Sequence, residues 1–482
     1  MPSARNRIFN VSSVAIIGSG PSGIAAAKYL LAENAFQRID ILEQRSKTGG
    51  LWDYHPSKKY VAPDFPIPQT DPNKDPNLKA SPDSFLSPIY DQLETNIPRG
   101  LMGFSDLDWP KDSALFPKHE TVTQYIERYA KDVRHLIKFG TRVISAKPAS
   151  DDDISSGWQI TTETEDQIHQ THHYDAIVAA SGHFNVPYIP SLKGLPEWRA
   201  QHPDTISHSM FYKTPETYRN KKTLIIGNGA SGVDIASQIV QTCAAPLLQS
   251  VRSESFLLTT SGPTRLELPE IAELRPHDRS VLFTNGHVET SVDAILFCTG
   301  YFYSLPWLHV SPSPSPITDG SHVENTYQHL FYRPNPTLVF PVLQQRVIPF
   351  PMAEVQAAVV ARVWAGRLGL PSEAEMRAWE EAQAVETGGG RGFHVLKFPQ
   401  DGEYINMMHD WAMSAAEGKA GRGKEPPRWD EEAFWLRERF PQVKKAYNDL
   451  GERRREVRGV EELGFDFAEW KREKEREDKG LV

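Results

Sequence analysis

The chain has 482 residues, more than a single hydrophobic core usually serves, so two or more domains are expected. A net charge of −9 argues against nucleic acid as a partner, and no apolar run approaches the roughly 18 residues that a membrane span needs. The two cysteines, Cys243 and Cys298, lie far apart, which excludes a Cys-x-x-Cys redox pair and favours a reducing compartment. We therefore expect a cytoplasmic protein that binds neither nucleic acid nor membrane.

The first predicted elements form a βαβ unit. An apolar strand at 13–17 leads into the turn GSGPSG at 18–23, which opens a helix, and a second strand follows at 38–42. Gly-x-Gly-x-x-Gly is typical of dinucleotide sites when a strand precedes it and a helix follows. Glu43 lies twenty residues after the last glycine, where a carboxylate accepts hydrogen bonds from a ribose diol. The unit therefore predicts a site for FAD or NAD, without a 2′-phosphate.

The three glycines of this turn have separate predicted roles. Gly18 permits the tight turn, Gly20 lets the backbone approach a pyrophosphate, and Gly23 allows close packing of helix and strand. The free N–H groups at the helix N-terminus would then face the phosphates. The other residues assigned to this part of the site are Ser19, Pro21 and Ser22.

Loops, one helix and two strands are predicted between this unit and the next. Prolines are frequent at 61–88, which predicts a long loop. The helix is predicted at 120–135, and its apolar stripe consists of Val122, Tyr125, Ile126, Tyr129 and Val133. The strands are predicted at 157–164 and 174–182. No set of His, Cys, Asp and Glu residues has the spacing of a zinc site, so no metal is expected.

A second βαβ unit begins at residue 223, with the turn GNGASG, a helix to about residue 242 and a strand at 246–253. Its three glycines can play the same roles as those of the first turn. The residues assigned to this turn are Gly227, Asn228, Gly229, Ala230, Ser231 and Gly232.

The residue at the ribose position distinguishes the second site from the first. Arg252 lies twenty residues after Gly232, the spacing that leads to Glu43 in the first unit. A guanidinium there, with the Ser253 hydroxyl, suits a 2′-phosphate, which a carboxylate would repel. The second site is therefore predicted to bind NADPH. The plainer alternative is that Arg252 is only a surface arginine.

The remaining elements are a hairpin, a loop and several helices. The hairpin at 281–300 turns at Asn285-Gly286 and ends in a buried strand. A loop of alternating Ser and Pro occupies 311–316, and a helix is predicted at 352–369. The last 70 residues are predicted to be charged and helical, with a break at 417–427.

Two dinucleotide sites in one chain imply electron transfer between two cofactors, for which FAD and NADPH are the usual pair. Five further segments add to these two turns: EQRSKTGGLW at 43–52, LETNIPRGLMGFSDLDWP at 93–110, FPKHETVTQYIERYA at 116–130, VDAILFCTGY at 292–301 and FPMAEVQAAVVARVWAGRLGLPS at 350–372. With these segments, the chain resembles the flavin-containing monooxygenases, a family of class B flavoprotein monooxygenases, from about residue 13 to about residue 450. The segment at 350–372 is similar to the variant found in soluble fungal members.

One segment departs from the family pattern. The identifying motif of the family is Phe-x-Gly-x-x-x-His-x-x-x-(Phe/Tyr). His208 and Tyr212 supply its second half, but the Phe-x-Gly half is absent. Trp at the last position would have favoured the Baeyer–Villiger branch, so Tyr212 argues against that branch. By resemblance, His208 and Tyr212 are assigned to the NADP site, with a hydrogen-bonded structural histidine as the alternative for His208.

The resemblance implies an α/β fold with two Rossmann-like dinucleotide-binding domains. In that arrangement the NADPH domain, at 191–300, is inserted in a discontinuous FAD domain made of 1–190 and 301–482. The second FAD segment would include the helical C-terminal tail. The crossings between the domains are expected at 186–196 and 300–306.

The resemblance also implies the chemistry. NADPH would reduce FAD, the reduced flavin would add O2 at C4a, and a soft sulfur or nitrogen nucleophile would attack the resulting hydroperoxide. Asn96 is the expected catalytic residue, because a neutral amide can donate a hydrogen bond without giving up a proton; a turn asparagine before Pro98 is the alternative. The further residues expected at the flavin are Gly50, Leu51, Trp52, Thr95 and Gln356.

Two other functions stay open from the sequence. One is an NADPH-dependent flavin oxidase or quinone-type reductase, and the other is a non-catalytic sensor that binds FAD and NADPH. A small-molecule substrate and O2 are the expected partners of the enzyme. The sequence does not identify the substrate, and it leaves the oligomeric state open, with a homodimer among the arrangements.

Overall fold

A computed structural model describes residues 9–54, 65–78, 80, 85–150, 156–253, 255, 264–418 and 421–478. The α-helices are α1 Pro21–Ala32, α2 His119–Tyr129, α3 Leu195–Gln201, α4 Ala230–Ile239, α5 Pro349–Trp364, α6 Glu373–Thr387, α7 Gln400–Met413, α8 Glu431–Asp449 and α9 Phe467–Asp478. The proline-rich loop predicted at 61–88 lies partly outside the described residues.

The strands of the first half are β1 Ser13–Ile17, β2 Arg38–Leu42, β3 Ile137–Lys138, β4 Thr141–Pro148, β5 Trp158–Thr164, β6 His169–Tyr174, β7 Ala176–Val178, β8 Val186–Pro187, β9 Ile206–His208 and β10 Lys222–Ile226. Those of the second half are β11 Ala244–Ser250, β12 Arg265–Leu268, β13 Ile271–Arg275, β14 Ser280–Phe283, β15 Val288–Glu289, β16 Ala294–Phe297, β17 Tyr301–Phe302, β18 Thr326–Tyr327, β19 Phe331–Tyr332 and β20 Leu338–Val339.

The largest sheet draws its strands from both ends of the chain. Its order is β18-β19-β20-β7-β1-β2-β3, and β20, β7, β1, β2 and β3 run parallel. One apolar core packs α1 and α5 against this sheet, and a second core lies under the antiparallel sheet β4-β5-β6. The strands β18, β19 and β20 follow the second βαβ unit in sequence, so this sheet is discontinuous.

The second βαβ unit lies in a separate parallel sheet with the order β12-β11-β10-β16-β9. The strands β8 and β17, at the two expected crossings, pair antiparallel with each other. The predicted fold, with two Rossmann-like units in an α/β protein, is therefore confirmed. The hairpin is also as predicted, because β14 and β15 flank the turn at Asn285-Gly286.

Two helix predictions had wrong ends. The α2 helix ends at Tyr129, and the chain tightens into a 3₁₀ turn at Lys131–Leu136 that leads into β3; the whole predicted apolar stripe is nevertheless buried. The α5 helix begins at Pro349 instead of 352, since proline is tolerated in the first turn of a helix. It ends at Trp364, just before Gly366, whose φ of +73° is typical of a helix C-terminus.

Among the described residues, no helix is both long and apolar enough to cross a bilayer. Within the same part of the chain, no group of three or more His, Cys, Asp and Glu residues is placed to hold a metal ion.

Candidate active site

The first glycine turn has the geometry that its sequence predicted. The Gly18 N–H donates to the carbonyl of Leu42 over 2.9 Å, and Gly18 has a φ of +104°. A Cβ on Gly23 would lie 2.0 Å from the Gly18 carbonyl oxygen, so only glycine lets α1 start this close to β1. Gly20 precedes the helix in an extended conformation, and Pro21 opens the first turn. The N-terminus of α1 therefore presents free N–H groups beside Ser22.

Glu43 is buried at the end of β2 and is bonded to this turn. Its Oε2 accepts hydrogen bonds from the Ser19 N–H and the Ser19 hydroxyl, both over 2.7 Å, and its Oε1 accepts one from the Arg45 N–H. An ionised carboxylate can accept about four hydrogen bonds. Glu43 is therefore oriented by the protein and keeps acceptor capacity for a ribose diol.

A third segment approaches the first turn. Gly49 and Gly50 have φ values of +115° and +58°, and the Gly49 N–H donates to the Ser19 carbonyl. Leu51 and Trp52 follow in a 3₁₀ turn and are half-buried. The Thr48 hydroxyl is buried and has no hydrogen-bond partner among the described residues. This glycine-lined cradle with an unused hydroxyl fits FAD, and Thr48 is a polar residue that the sequence analysis missed.

Asn96 lies in a turn whose hydrogen bonds are made by its neighbours. The Thr95 N–H donates to the Pro117 carbonyl, and the Thr95 hydroxyl donates to the Ile97 carbonyl over 2.8 Å. Asn96 is half-buried, and its side-chain amide makes no hydrogen bond to any residue that the structure describes. Thr95 rather than Asn96 supplies the turn's side-chain bond, so the amide of Asn96 stays available to a ligand.

The second glycine turn repeats the first. The Gly227 N–H donates to the Ser250 carbonyl over 2.9 Å, and Gly227 has a φ of +106°. A Cβ on Gly232 would lie 2.4 Å from the Gly227 carbonyl oxygen, whereas a Cβ on Gly229 would meet no heavy atom within 4 Å. Helix α4 starts at Ala230 and Ser231, so the open space at Gly229 lies at a helix N-terminus, where a phosphate can bind.

Arg252 and Ser253 are exposed just beyond the end of β11. Because β10 and β11 are neighbouring parallel strands, these residues lie beside the second turn, and the Asn228 side chain donates to the Ser253 carbonyl over 2.6 Å. A second guanidinium, that of Arg391, lies over the Tyr188 ring at 3.8 Å from its centre and donates to the Tyr301 carbonyl. Burial lowers the pKa of Arg391, and the charge of Arg252 lowers it further. The charges of Arg252 and Arg391 therefore interact, and both would favour a 2′-phosphate bound between them. No local sequence pattern pointed to Arg391.

The two residues of the family's identifying motif are buried and hydrogen-bonded within the protein. His208 Nδ1 accepts from the Met210 N–H, and its Nε2 donates to the Gly300 carbonyl, both over 3.1 Å. Burial lowers the pKa of His208 to about 3, so the ring is neutral. The Tyr212 hydroxyl donates to Gln238 over 3.0 Å. Any effect of these residues on NADPH would therefore act through the segment that they shape.

Gln356, which was expected at the flavin, lies in the middle of α5. Its Oε1 accepts from the Val342 N–H over 2.7 Å, and its Nε2 donates to Gln344 and to the Tyr404 hydroxyl. Because these bonds occupy both ends of the amide, a flavin contact by Gln356 would use the edge of its side chain or act through the 342–344 loop.

Comparisons with known proteins show which family the chain resembles over most of its length. A profile described as flavin-binding monooxygenase-like matches residues 77–265 and 267–418, and one described as NAD(P)-binding Rossmann-like domain matches 16–79. Flavin-containing monooxygenase iboF of Amanita muscaria (strain Koide BX008) is 29% identical over 86% of this chain and 90% of its own. Flavin-containing monooxygenase FMO GS-OX-like 2 of Arabidopsis thaliana is 32% identical over 82% and 84%.

Solved structures show the same fold. S-allyl-L-cysteine S-oxygenase from Allium sativum superimposes with a TM-score of 0.73 and 25% identity, over 94% of this chain and 96% of that one. Tmm from Pelagibacter sp. strain HTCC7211 has a TM-score of 0.67 with 21% identity, over 90% and 91%.

Proposed function

Since this chain belongs to the flavin-binding monooxygenase-like family, we propose that it oxygenates a soft nucleophile, a small sulfur- or nitrogen-containing molecule. It is an NADPH-dependent FAD monooxygenase, as the sequence analysis predicted. The flavin supplies the oxygen-transfer chemistry, by the proposed route of a C4a-hydroperoxide, and the protein supplies orientation and water exclusion. One protein of similar structure is named as an S-oxygenase, the S-allyl-L-cysteine S-oxygenase from Allium sativum. Its name supports sulfur as the atom that accepts the oxygen.

The observation that carries the proposal is the free amide of Asn96. A group beside reduced flavin and oxygen must donate a hydrogen bond without releasing a proton, because protonation would release the oxygen as peroxide. The Asn96 amide is such a donor, and its side chain is not committed to any described residue. Thr95 holds the turn and leaves Asn96 free for this role.

The cofactors are assigned to the sites by the residue at each ribose position. We assign FAD to the first turn, where Glu43 accepts hydrogen bonds, and NADPH to the second, where Arg252 carries a positive charge. The proposed domains are FAD-binding segments at 1–190 and 301–482 around an NADPH-binding segment at 191–300. The pairing of β8 with β17 at the two crossings supports these boundaries.

The test is rapid mixing of the NADPH-reduced protein with oxygenated buffer, followed by absorbance. Asn96→Ala is compared with wild type and with Asn448→Ala, which removes an exposed asparagine of α8. Wild type and the control should show a long-lived near-UV intermediate. In Asn96→Ala this intermediate should decay about tenfold faster or more and release H2O2, because one preorganised donor is lost.

Other outcomes identify the alternatives. Direct return to oxidised flavin with peroxide release in all three proteins would indicate an oxidase or reductase and refute the proposed oxygenation. An intermediate with the same lifetime in Asn96→Ala and wild type would refute the role of Asn96 alone. Addition of sulfide and amine compounds then shows which class shortens the lifetime in wild type.

A further inference from the structure

The C-terminal helix α8 contacts the backbone beside Asn96. Lys444 of this helix is buried, with 6% of its surface exposed, and its Nζ donates a hydrogen bond to the Thr95 carbonyl over 2.8 Å. The two residues are 349 positions apart in the chain, so the contact joins the charged tail to the candidate active site.

This hydrogen bond fixes the peptide plane from which Asn96 starts. The Thr95 carbonyl and the Asn96 N–H belong to one rigid planar group, so an atom that holds the first also orients the second. The Thr95 N–H donates to the Pro117 carbonyl and the Thr95 hydroxyl to the Ile97 carbonyl, so neither of these bonds holds the Thr95 carbonyl itself. Without Lys444 the buried carbonyl would lose its charged donor, and the plane could rotate to find another.

The ammonium group of Lys444 is buried, so it carries a desolvation cost. Its ammonium lies 4.3 Å from the centre of the Phe116 ring, and among the described residues no carboxylate is within ion-pair distance of it. A buried ammonium that makes no ion pair still carries a desolvation cost, which a methionine of similar length would avoid. The ammonium therefore has a use that an apolar side chain would not serve, and the Thr95 carbonyl is the acceptor that it reaches.

A second contact from the tail holds the preceding residue. Glu94 is buried, and its carboxylate pairs with Arg454 over 3.0 Å and with Arg455 over 3.7 Å. Both arginines lie in the 3₁₀ turn Gly451–Glu456 that follows α8. The C-terminal tail therefore contacts Glu94 and Thr95, the two residues that directly precede Asn96.

We propose that Lys444 is a positioning residue that holds the Asn96 amide in place through the Thr95 carbonyl. The inference rests on the proposed role of Asn96. Loss of the ammonium lets the peptide between Thr95 and Asn96 move, and the amide then leaves the position in which it protects the oxygen-carrying site. Oxygen activated at the cofactor leaves as H2O2 instead of reaching the substrate.

If the ammonium of Lys444 positions Asn96, peroxide leakage should depend on the protonation of Lys444; a purely packing role of its side chain would give no such pH dependence. Burial lowers the pKa of Lys444 to about 8, while the charges of Asp234 on α4 and of Glu94 raise it and Arg454 lowers it. The ammonium is present below pH 8 and becomes a neutral, weaker donor as the pH rises through 8. Peroxide leakage in wild type should therefore increase across that pH.

The experiment compares Lys444→Met, Lys444→Arg and the control Lys445→Met in the FAD-loaded protein. Lys445 is the next residue of α8 and pairs with Asp449 at the surface. Lys444→Met should raise the H2O2 released per NADPH consumed by about fivefold, without the step near pH 8. Lys444→Arg, which stays charged, should restore part of the coupling and also lack the step. Lys445→Met should behave as wild type.

Hydrogen exchange and a double variant separate positioning from general damage. In Lys444→Met, amides in the peptide that spans Asn96 should exchange faster than in Lys445→Met, with flavin content and thermal midpoint close to wild type. Asn96→Ala combined with Lys444→Met should leak no more than Asn96→Ala alone, because both changes remove one function.

Specific results would overturn the inference. Unchanged exchange and unchanged leakage in Lys444→Met, with a leaking Asn96→Ala, would show that Lys444 does not position Asn96. Additive leakage in the double variant would do the same. If Asn96→Ala does not leak, the proposed function of Asn96 fails, and the exchange measurement still decides whether Lys444 holds the segment.

Discussion

At the scale of single residues, two glycines of the second turn differ in the space that a side chain would have. Gly232 must lack a side chain because its Cβ would meet the Gly227 carbonyl, whereas Gly229 faces open space. The φ of −68° at Gly229 is one that alanine adopts readily. Gly232 is therefore needed for folding, and Gly229 is needed only if a ligand lies close to its backbone.

Alanine at these two positions should give different defects. Gly232→Ala should lose about 3 kcal/mol of stability through overpacking, seen as a lower thermal midpoint without nucleotide. Gly229→Ala should keep the wild-type midpoint and bind NADP⁺ at least about tenfold more weakly, because its methyl group would occupy the place proposed for the pyrophosphate. Titration of NADP⁺ with each variant measures the second effect. Unchanged NADP⁺ affinity in Gly229→Ala would place the phosphates elsewhere.

Residue patterns predicted the glycine turns and the position of Glu43, since both depend on spacing along a strand, turn and helix. For His208 they left two roles open, an NADP contact and a hydrogen-bonded structural histidine, and they could not identify the two backbone groups to which its ring nitrogens bond. One of its partners, Gly300, is distant in sequence. Such contacts depend on tertiary packing, which a local pattern does not contain.

At the scale of elements, the loop before α5 holds an unusual backbone. Val342 has a φ of +56°, although β-branched residues strongly disfavour the left-handed region. Its N–H donates to Gln356 in the middle of α5, which fixes the loop against the helix. The apolar period predicted the helix itself, but a sequence does not show that a valine will be held at positive φ.

Glycine at this position should stabilise the protein. A valine in the left-handed region destabilises the folded state by about 1–3 kcal/mol. Glycine removes this strain but loses about 0.5–1 kcal/mol through the greater conformational entropy of the unfolded chain. Val342→Gly should therefore raise stability by about 1 kcal/mol, and Val342→Ala should raise it less. The measurement is the thermal midpoint of the FAD-loaded protein. Val347→Gly, in the same loop without positive φ, should lower the midpoint, and equal losses in both glycine variants would contradict the assigned strain.

At the scale of the whole molecule, the chain builds one sheet from its two ends and inserts a second sheet between them. The two glycine turns predicted the number of nucleotide units, and the family resemblance predicted the insertion. Periodicity alone could not place β18, β19 and β20, each of two residues, because so short a strand has no measurable period. The tail was predicted to be helical, but its contact with Thr95 was invisible in the sequence.

The fold also brings together buried histidines from distant parts of the chain. His329 and His394 are each 1% exposed and share a hydrogen bond between their Nδ1 atoms over 2.9 Å. The Val323 N–H donates to His394 Nε2, so His394 carries its proton on Nδ1 and His329 is the acceptor. Burial lowers the pKa of His183 to about 4 and that of His329 to about 3. It also places the pKa of His394 well below its usual value.

These shifts make stability depend on pH in a defined window. The folded-state pKa values lie below the unfolded value of about 6.5, so below pH 6.5 the unfolded chain binds protons that the folded chain does not. Stability is therefore full above pH 6.5 and is lost as the pH falls toward 3. As the pH falls below 6.5, each such histidine lowers the free energy of unfolding by about 1.4 kcal/mol per pH unit, or by about 2 kcal/mol between pH 6.5 and pH 5.

Replacing His329 by asparagine should remove one share of this acid sensitivity. Asparagine offers an acceptor near the position of Nδ1 for His394, tolerates the φ of +52° at this residue, and does not titrate. His329→Asn should therefore match wild type at pH 7 within about 1 kcal/mol and lose less of its thermal midpoint between pH 7 and pH 5. His277→Asn, which changes an exposed histidine, should follow the wild-type curve. Parallel curves for His329→Asn and wild type would show that His329 does not resist protonation in the folded protein.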